Sequence, residues 1–185
     1  MSKPLKKHAT YADLVAVPEN FIAEILGGEL YASPRPLFSH ARLASALGVL
    51  LGGPFQFGIH GPGGWLIVHE PELHLGADVV VPDLAGWRAE RAPAASAADY
   101  PTIAPDWICE VLSPSTETID RTKKLKIYAR EGVGHAWLMS PSLSTLEVFR
   151  RDGWRWLVVA THEGSQRVRA EPFGAIDLEL GALWP

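Results

Sequence analysis

The stretch WICEVLSPSTETIDRTKKLKIY, residues 107–128, places a buried strand, a break and a helix in immediate succession. Trp107 to Leu112 is apolar apart from Glu110, a pattern typical of a central strand covered on both faces. The break is Ser113-Pro114-Ser115, and the basic run after it predicts a helix from about Thr116 to Glu131. This succession predicts a sheet with a helix packed against it.

Two acids interrupt apolar strands in this chain. One is Glu110, and the other is Asp83, which follows Pro82 and the run Val79–Val81. A carboxylate taken out of water costs several kcal/mol unless a cation compensates it, so the pair indicates a shared cation. Mg²⁺ prefers oxygen ligands of this kind. The two acids meet only if their strands are neighbours, and on spacing alone a structural salt-bridged pair is an equal alternative.

The N-terminal part predicts a short helix and a hairpin. Thr10 to Asp13 resembles a capping box, and Pro18 ends the helix that it begins. Two short strand-like runs, Phe21–Leu26 and Glu29–Ala32, flank Gly27-Gly28. Glycine tolerates the positive φ angles of a type I′ turn, so this connection predicts a tight hairpin.

The remaining segments complete an α+β pattern. From Ser39 to Leu51, leucines at helical spacing predict a helix that packs on the core. An alanine- and proline-rich stretch from Glu90 to Ala98 predicts a loop or lid, and residues 167–183 predict one edge strand. Further strands are predicted at Trp65–Leu75, Val79–Trp87, His135–Met139, Leu146–Arg150 and Trp154–Thr161.

Bulk composition is that of a globular protein. The chain has 185 residues, 47% of them hydrophobic and 21% charged, so we expect one domain spanning residues 1–185. It shows no apolar run of about 18 residues and no apolar segment behind its basic N-terminus, so we expect a cytoplasmic protein without a membrane span. The single cysteine, Cys109, excludes an internal disulfide and a cysteine-cluster zinc site, and core packing is its expected role.

Charge and aromatic content leave nucleic-acid binding open. A net charge of −4 argues against a protein coated with basic residues, although a local patch remains compatible with it. Most of the seven tryptophans lie in strand patterns, which favours core packing over base stacking. Five cations fall close together and predict either a phosphate-facing patch or a solvated helix face: Arg121, Lys123, Lys124, Lys126 and Arg130.

An ordered series of motifs gives the chain a family resemblance over about residues 10–150. Its N-terminal part is Glu24–Leu30, Ser33-Pro34 and His40, and its later part is Pro82-Asp83, EVLSPST from Glu110 to Thr116, Asp120, Lys124, Tyr128, and GVGHAWLMSP from Gly132 to Pro141. The series resembles the Uma-type branch of the PD-(D/E)XK nuclease superfamily. That resemblance implies a restriction-endonuclease-like fold, a central mixed β-sheet flanked by helices, with the N-terminal helix and hairpin and the C-terminal strands as additions.

The resemblance also implies metal ligands. Asp83 and Glu110 would bind the ion, the backbone carbonyl of Val111 would be a third contact, and Glu24 would be a further carboxylate near it. In the wider superfamily a lysine lies two residues after the glutamate, where this chain has Leu112.

Two more residues receive roles from the same resemblance. The Uma-type branch carries the lysine on the next helix, so Lys124 would serve the attacking water and the phosphoryl group, and His40 would contact phosphate or orient Glu24. From the residues alone, Glu24 is equally an outward-facing strand residue, and His40 is more often a neighbour of a helix cap. Asp120 would pair with Lys124, one helical turn away.

The resemblance predicts a Mg²⁺-dependent endonuclease, with Mn²⁺ as a substitute, that hydrolyses DNA through attack of a metal-bound water. A homodimer is expected, because two active sites match the two strands of a duplex. The alternative is a noncatalytic module that keeps the fold and binds nucleic acid or a protein partner. A phosphodiesterase acting on small nucleotides is a third and weaker prediction.

Overall fold

A computed structural model describes residues 3–92 and 100–184. After β1 (Lys6–Lys7), the first helix, α1 (Tyr11–Val15), begins at a capping box, as the sequence predicts. The Asp13 carboxylate accepts hydrogen bonds from the Thr10 backbone N–H at 2.8 Å and from its hydroxyl at 2.9 Å. These bonds satisfy donors that a helix N-terminus leaves unpaired.

A small antiparallel sheet follows, built from β1, β2 (Phe21–Leu26), β3 (Glu29–Pro34), β5 (Leu73–Leu75) and β6 (Asp78–Val80). Its strand order is β1-β3-β2-β6-β5. The predicted hairpin forms its centre, and Gly27 and Gly28 adopt φ angles of 63° and 76°, the positive values that a type I′ turn needs.

The larger sheet is built from β4 (Trp65–His69), β7 (Leu84–Arg88), β8 (Trp107–Val111), β9 (His135–Ser140), β10 (Thr145–Asp152) and β11 (Arg155–Glu163). Their order is β11-β10-β9-β8-β7-β4. Its β8–β9 pair is parallel and its other pairs are antiparallel, so the sheet is mixed, as expected. A parallel pair needs a long crossover, and the helical segment after β8 supplies it.

The continuous strands predicted at Trp65–Leu75 and Val79–Trp87 are wrong, because each is two strands that belong to different sheets. Pro71 lies between β4 and β5, and Pro82 lies between β6 and β7. Proline has no N–H to donate to a strand ladder, so each ladder stops there and the chain changes sheets. One consequence is that Asp83 lies at the junction of the two sheets.

Helical segments flank the large sheet. The second helix, α2 (Phe38–Leu51), runs into a π-helical turn at Gly52–Gln56. The predicted crossover helix is confirmed, but it is built from α3 (Glu117–Ile119), a π-helical turn at Asp120–Lys124 and α4 (Leu125–Glu131). The C-terminal region holds two short strands, β12 (Arg167–Val168) and β13 (Leu178–Glu179), which pair with each other where one edge strand was predicted.

The core lies on both faces of the large sheet, because successive strand residues point to opposite sides. On the α2 side, Leu47, Trp107 and Cys109 are fully buried, and on the other side Ile108 and Tyr128 are fully buried. Core packing is therefore confirmed for Cys109 and for the strand tryptophans Trp107 and Trp137, which are fully buried. The segment predicted as a loop or lid, Glu90–Ala98, lies largely outside the described residues. Within residues 3–92 and 100–184, the helices are too short or too polar to span a membrane.

Candidate active site

A cavity of about 610 Å³ opens where the two sheets meet the crossover helix. Each element around it contributes a side chain. Glu24 comes from β2, His40 from the first turn of α2, Asp83 from the junction between the sheets, and Glu110 from β8. The cavity is also lined by Lys124, from the π-helical turn, and by Val111, so it brings together every residue predicted for the site.

Antiparallel pairing of β7 and β8 explains why Asp83 and Glu110 are neighbours. Leu84 is paired with Cys109, and the two acids lie one residue beyond that pair on their respective strands. The carboxylate Oδ2 of Asp83 accepts a hydrogen bond from the Val111 N–H at 2.6 Å. β7 and β8 are therefore neighbours, which is the condition for the two acids to meet.

Lys124 holds the centre of the acid cluster. Its Nζ lies 3.0 Å from Glu110 Oε1, 3.0 Å from Glu24 Oε1 and 3.7 Å from Asp120 Oδ1. It also donates a hydrogen bond to the Val81 carbonyl at 2.9 Å. Burial by itself lowers the pKa of Lys124, but the surrounding carboxylates raise it well above the ordinary lysine value, so the ammonium stays charged.

Glu110 is the most enclosed acid of the cluster, with 2% of its surface exposed. Burial raises its pKa well above the usual range, and although Lys124 lowers it, the charges of Asp120 and Asp83 raise it again. The Tyr128 hydroxyl donates to Glu110 Oε1 at 2.6 Å. Burial is thus the main cost of the Glu110 charge, and the neighbouring acids add to it.

His40 and Asp83 form a pair at the side of the cavity. The Nε2 atom of His40 lies 3.3 Å from Asp83 Oδ1. Burial lowers the pKa of the imidazole, but the hydrogen bond to Asp83 and its negative charge outweigh that effect, and the net pKa is raised. His40 Nδ1 is buried without a hydrogen-bond partner among the described residues. The imidazole therefore contacts Asp83, and the expected orientation of Glu24 by His40 has no hydrogen bond to support it.

The structure decides between several local alternatives. Glu24 faces inward, with 7% of its surface exposed, and its Oε1 accepts a hydrogen bond from the Val81 N–H at 2.8 Å. Asp120 pairs with Lys124, as expected from their spacing. Tyr128 packs against the sheet, and its hydroxyl finds its partner in the site itself.

The basic helical stretch is largely neutralised. Arg121 contacts Glu117 at 2.9 Å and Glu147 at 2.5 Å, and Lys123 contacts Glu29 at 3.0 Å. These ion pairs favour the solvated helix face over the phosphate-facing patch. The exposed cation at the cavity mouth is instead Arg35, which sequence reasoning missed.

Tyr128 was also missed: it received no role in the site, although its place in the D-x-x-x-K-x-x-x-Y series was a usable signal and its hydroxyl binds Glu110. Hydroxyl groups form part of the cavity wall, and none of them received a role: Ser33, Ser39, Ser113, Ser115, Thr116 and Ser142. Four of them belong to motifs of the family resemblance, which was a usable signal: Ser33, Ser113, Ser115 and Thr116.

The donor chemistry of the cavity fits a hard divalent cation. Among the described residues, no three His, Cys, Asp or Glu side chains surround a single point closely enough to hold an ion as they stand. The Lys124 ammonium occupies the space between Glu24 and Glu110. The Asp83 carboxylate and the hydroxyls of the cavity wall remain as oxygen ligands, the kind that Mg²⁺ prefers.

Comparisons with known proteins agree with this geometry. Among solved structures, a protein from Anabaena variabilis described as a putative nuclease belonging to DUF820 shares 22% sequence identity, with a TM-score of 0.75 over 95% of this chain and 97% of that one. That likeness shows the fold alone, which is the predicted α+β nuclease fold. A search of curated proteins found no match. A family model described as "Uma2: Putative restriction endonuclease" matches residues 9–182, which supports a nuclease function. Because this match spans nearly the whole length, the chain belongs to the Uma2 family.

Proposed function

We propose that the protein is a Mg²⁺-dependent endonuclease that hydrolyses phosphodiester bonds of DNA. The observation that carries this proposal is the convergence of Glu24, Asp83, Glu110 and Lys124 in one cavity, from four separate segments of the chain. Burying several carboxylates with one lysine costs free energy of folding. Clusters of this kind are typical of catalytic and binding sites.

Asp83, Glu110 and the carbonyl of Val111 are the residues that would hold the ion. When bound, Mg²⁺ would neutralise charge on the phosphate and lower the pKa of water. The Asp83 carboxylate is already oriented by the Val111 N–H and by His40, so it is fixed before any ligand arrives. Such preorganisation reduces the cost of reaching the reactive geometry.

Lys124 supplies N–H donors at the centre of the site. Its ammonium bonds to Glu110 and Glu24 show that it reaches both carboxylates, and a phosphate oxygen entering between them would compete for the same donors. Its role is to orient the attacking water and to neutralise charge that develops on the phosphoryl group. Glu24 would accept hydrogen bonds from water at the same place.

The test is cleavage of plasmid DNA with Mg²⁺ or Mn²⁺, using the wild type, Asp83→Asn and Lys124→Met. Both variants are expected to lose cleavage, because one weakens the ion site and the other removes the donor. Asp152→Asn, which alters an exposed acid in the β10–β11 hairpin, is the control and should cut normally. A wild type that binds DNA but never cuts it would favour the noncatalytic module.

Thermal melting separates ion binding from chemistry. At a metal concentration of ten times Kd, binding to the folded state adds about 1.4 kcal/mol and raises Tm by several degrees. Asp83→Asn should lose this rise. If it keeps the full rise, the ion binds elsewhere.

A further inference from the structure

The mouth of the cavity carries an unusual exposed apolar element. Between β3 and α2, Leu37 and Phe38 are 79% and 84% exposed, the highest values among the large hydrophobic side chains that the structure describes. Leu37 and Ser39 line the cavity, so Phe38 lies between two lining residues in the chain. Arg35, also a lining residue, is 60% exposed at its side chain. Arg35 and Leu37 thus line the acidic cavity, and the exposed Phe38 follows Leu37 directly in the chain.

Charge on the rest of the surface offers little support for a duplex. The net charge is −4, and three cations of the crossover helix are paired with acids: Arg121, Lys123 and Arg130. Phosphate contacts from lysine and arginine supply most of the affinity of nonspecific duplex binding. Binding energy must therefore come from another source, and stacking of bases on aromatic side chains is one that needs no basic surface.

The depth of Glu110 and Lys124 in the cavity also favours a single strand over a duplex. Glu110 is 2% exposed and Lys124 is 4% exposed, so a phosphodiester has to enter the cavity to meet them. A volume of about 610 Å³ is in the range of small-molecule sites and suits a nucleotide-sized group. A single strand can bend a phosphate inward, whereas a stacked duplex must first extrude a nucleotide.

We propose that Arg35, Leu37 and Phe38 form a subsite for an unpaired nucleotide of DNA beside the phosphate that enters the cavity. The Phe38 ring stacks on the base, Leu37 packs against the same nucleotide, and the Arg35 guanidinium contacts a flanking phosphate. The Arg35 guanidinium lies 3.9 Å from the Glu70 carboxylate and donates a hydrogen bond to the Glu19 carbonyl at 3.1 Å. Both contacts are exposed to solvent, so a phosphate can compete for the guanidinium. This inference rests on the proposed nuclease function and defines its substrate as single-stranded or locally unpaired DNA.

The first experiment compares cleavage of a single-stranded oligonucleotide with cleavage of the duplex of the same sequence. The wild type should prefer the single strand. Phe38→Ala should lower kcat/KM on the single strand by roughly 10- to 100-fold, the range expected for loss of one base-stacking contact. Val49→Ala is the matched control, because Val49 is a 76% exposed apolar residue of the same helix whose chain neighbours do not line the cavity, whereas both neighbours of Phe38 do. It should leave the rate unchanged.

The second experiment needs no cleavage. A single-stranded oligonucleotide containing a fluorescent adenine analogue is titrated with protein in the presence of a chelator, and stacking on the aromatic ring should quench its emission. Phe38→Ala should abolish the quenching, and Val49→Ala should retain it. Thermal melting of both variants checks that they fold.

The outcomes distinguish this inference from the nuclease proposal. Quenching that depends on Phe38 without cleavage of any DNA would keep the subsite and reject the nuclease. Equal cleavage of duplex and single strand, with Phe38→Ala at the wild-type rate, would overturn the subsite and leave the nuclease intact. Absence of Phe38-dependent quenching would also overturn the subsite.

Discussion

At the scale of single residues, Lys124 is the side chain on which the acid cluster depends. It is 4% exposed and lies within 3.7 Å of carboxylate oxygens of Glu24, Glu110 and Asp120. Removing one partner of a buried ion pair leaves the other charge buried and unpaired. The resulting loss of stability is larger than the stability that the intact pair contributes. A role confined to catalysis would leave stability untouched when the lysine is replaced, but these contacts give Lys124 a structural role as well.

Lys124→Met is therefore expected to destabilise the metal-free protein by about 3–5 kcal/mol, because the acids lose their common cation. Urea unfolding in a chelating buffer measures this loss. Lys126→Met, which changes an exposed residue two positions along the same segment, is the control and should unfold like the wild type. Equal stability of wild type and Lys124→Met would contradict the ion-pair geometry.

Asp120 predicts a dependence of stability on pH. Burial raises its pKa from 3.8 to about 6, even though Lys124 lowers it. Because the folded-state pKa lies above the unfolded one, the stability that this group contributes is full below the unfolded value and is lost as pH rises from about 4 through about 6. An ionised Asp120 thus opposes folding at neutral pH.

Asp120→Asn should consequently raise the free energy of unfolding at about pH 8, by roughly 3 kcal/mol, which is the free energy equivalent to this pKa change. The gain should shrink as pH is lowered from about 8 to about 5. Denaturant titrations across this range measure it, with Asp152→Asn as the exposed control. A gain that does not vary with pH would show that burial of the charge is not its cause.

At the scale of elements, the crossover helix has two features that position the site. Its π-helical turn spans Asp120–Lys124, and both end residues are buried although Thr122 between them is exposed. π-helical turns inside α-helices are frequent at functional sites because the extra residue redirects side chains. The helix ends at Gly132, whose φ of 90° only glycine adopts readily.

Gly132→Ala should destabilise the protein by about 1 kcal/mol, because a Cβ is strained at positive φ. The added methyl group itself meets nothing within 4 Å, so the strain comes from the backbone alone. Gly174→Ala is a matched control, since Gly174 has equal space and no positive φ. Chemical denaturation compares the two variants, and similar values for both would contradict the explanation.

At the scale of the whole molecule, the β11 edge of the six-stranded sheet has no further strand paired to it within residues 3–92 and 100–184. The edge strand β11 has nine residues and pairs with β10 on one side. Leu157 and Val158 on this strand are 45% and 58% exposed, and Trp154 beside it is 76% exposed. Long apolar edge strands are common sites of association between chains.

We expect the protein to form a two-fold dimer through this edge. Val158→Asp should yield a monomer in light scattering, because a carboxylate in such an interface is buried without a partner. Val49→Asp introduces the same charge at an exposed position of α2 and should remain dimeric. A wild type that is monomeric at high micromolar concentration would remove the expectation.

Local features of this protein follow from its sequence alone. The capping box at Thr10–Asp13, the hairpin around Gly27-Gly28 and the strand at Trp107–Val111 depend on neighbouring residues, so short patterns predict them well. The acids and the lysine were also identifiable, because Asp83 and Glu110 interrupt apolar runs and Lys124 belongs to an ordered series of motifs.

Tertiary structure decided which strands pair and where the charged side chains lie. The switch between sheets near Pro71 and Pro82 depends on partners distant in sequence, which no local pattern contains. Burial of Lys124 among three acids depends on the π-helical turn and on the depth of the cavity. Electrostatic energy depends on distance and solvent access, and both exist only after the chain has folded.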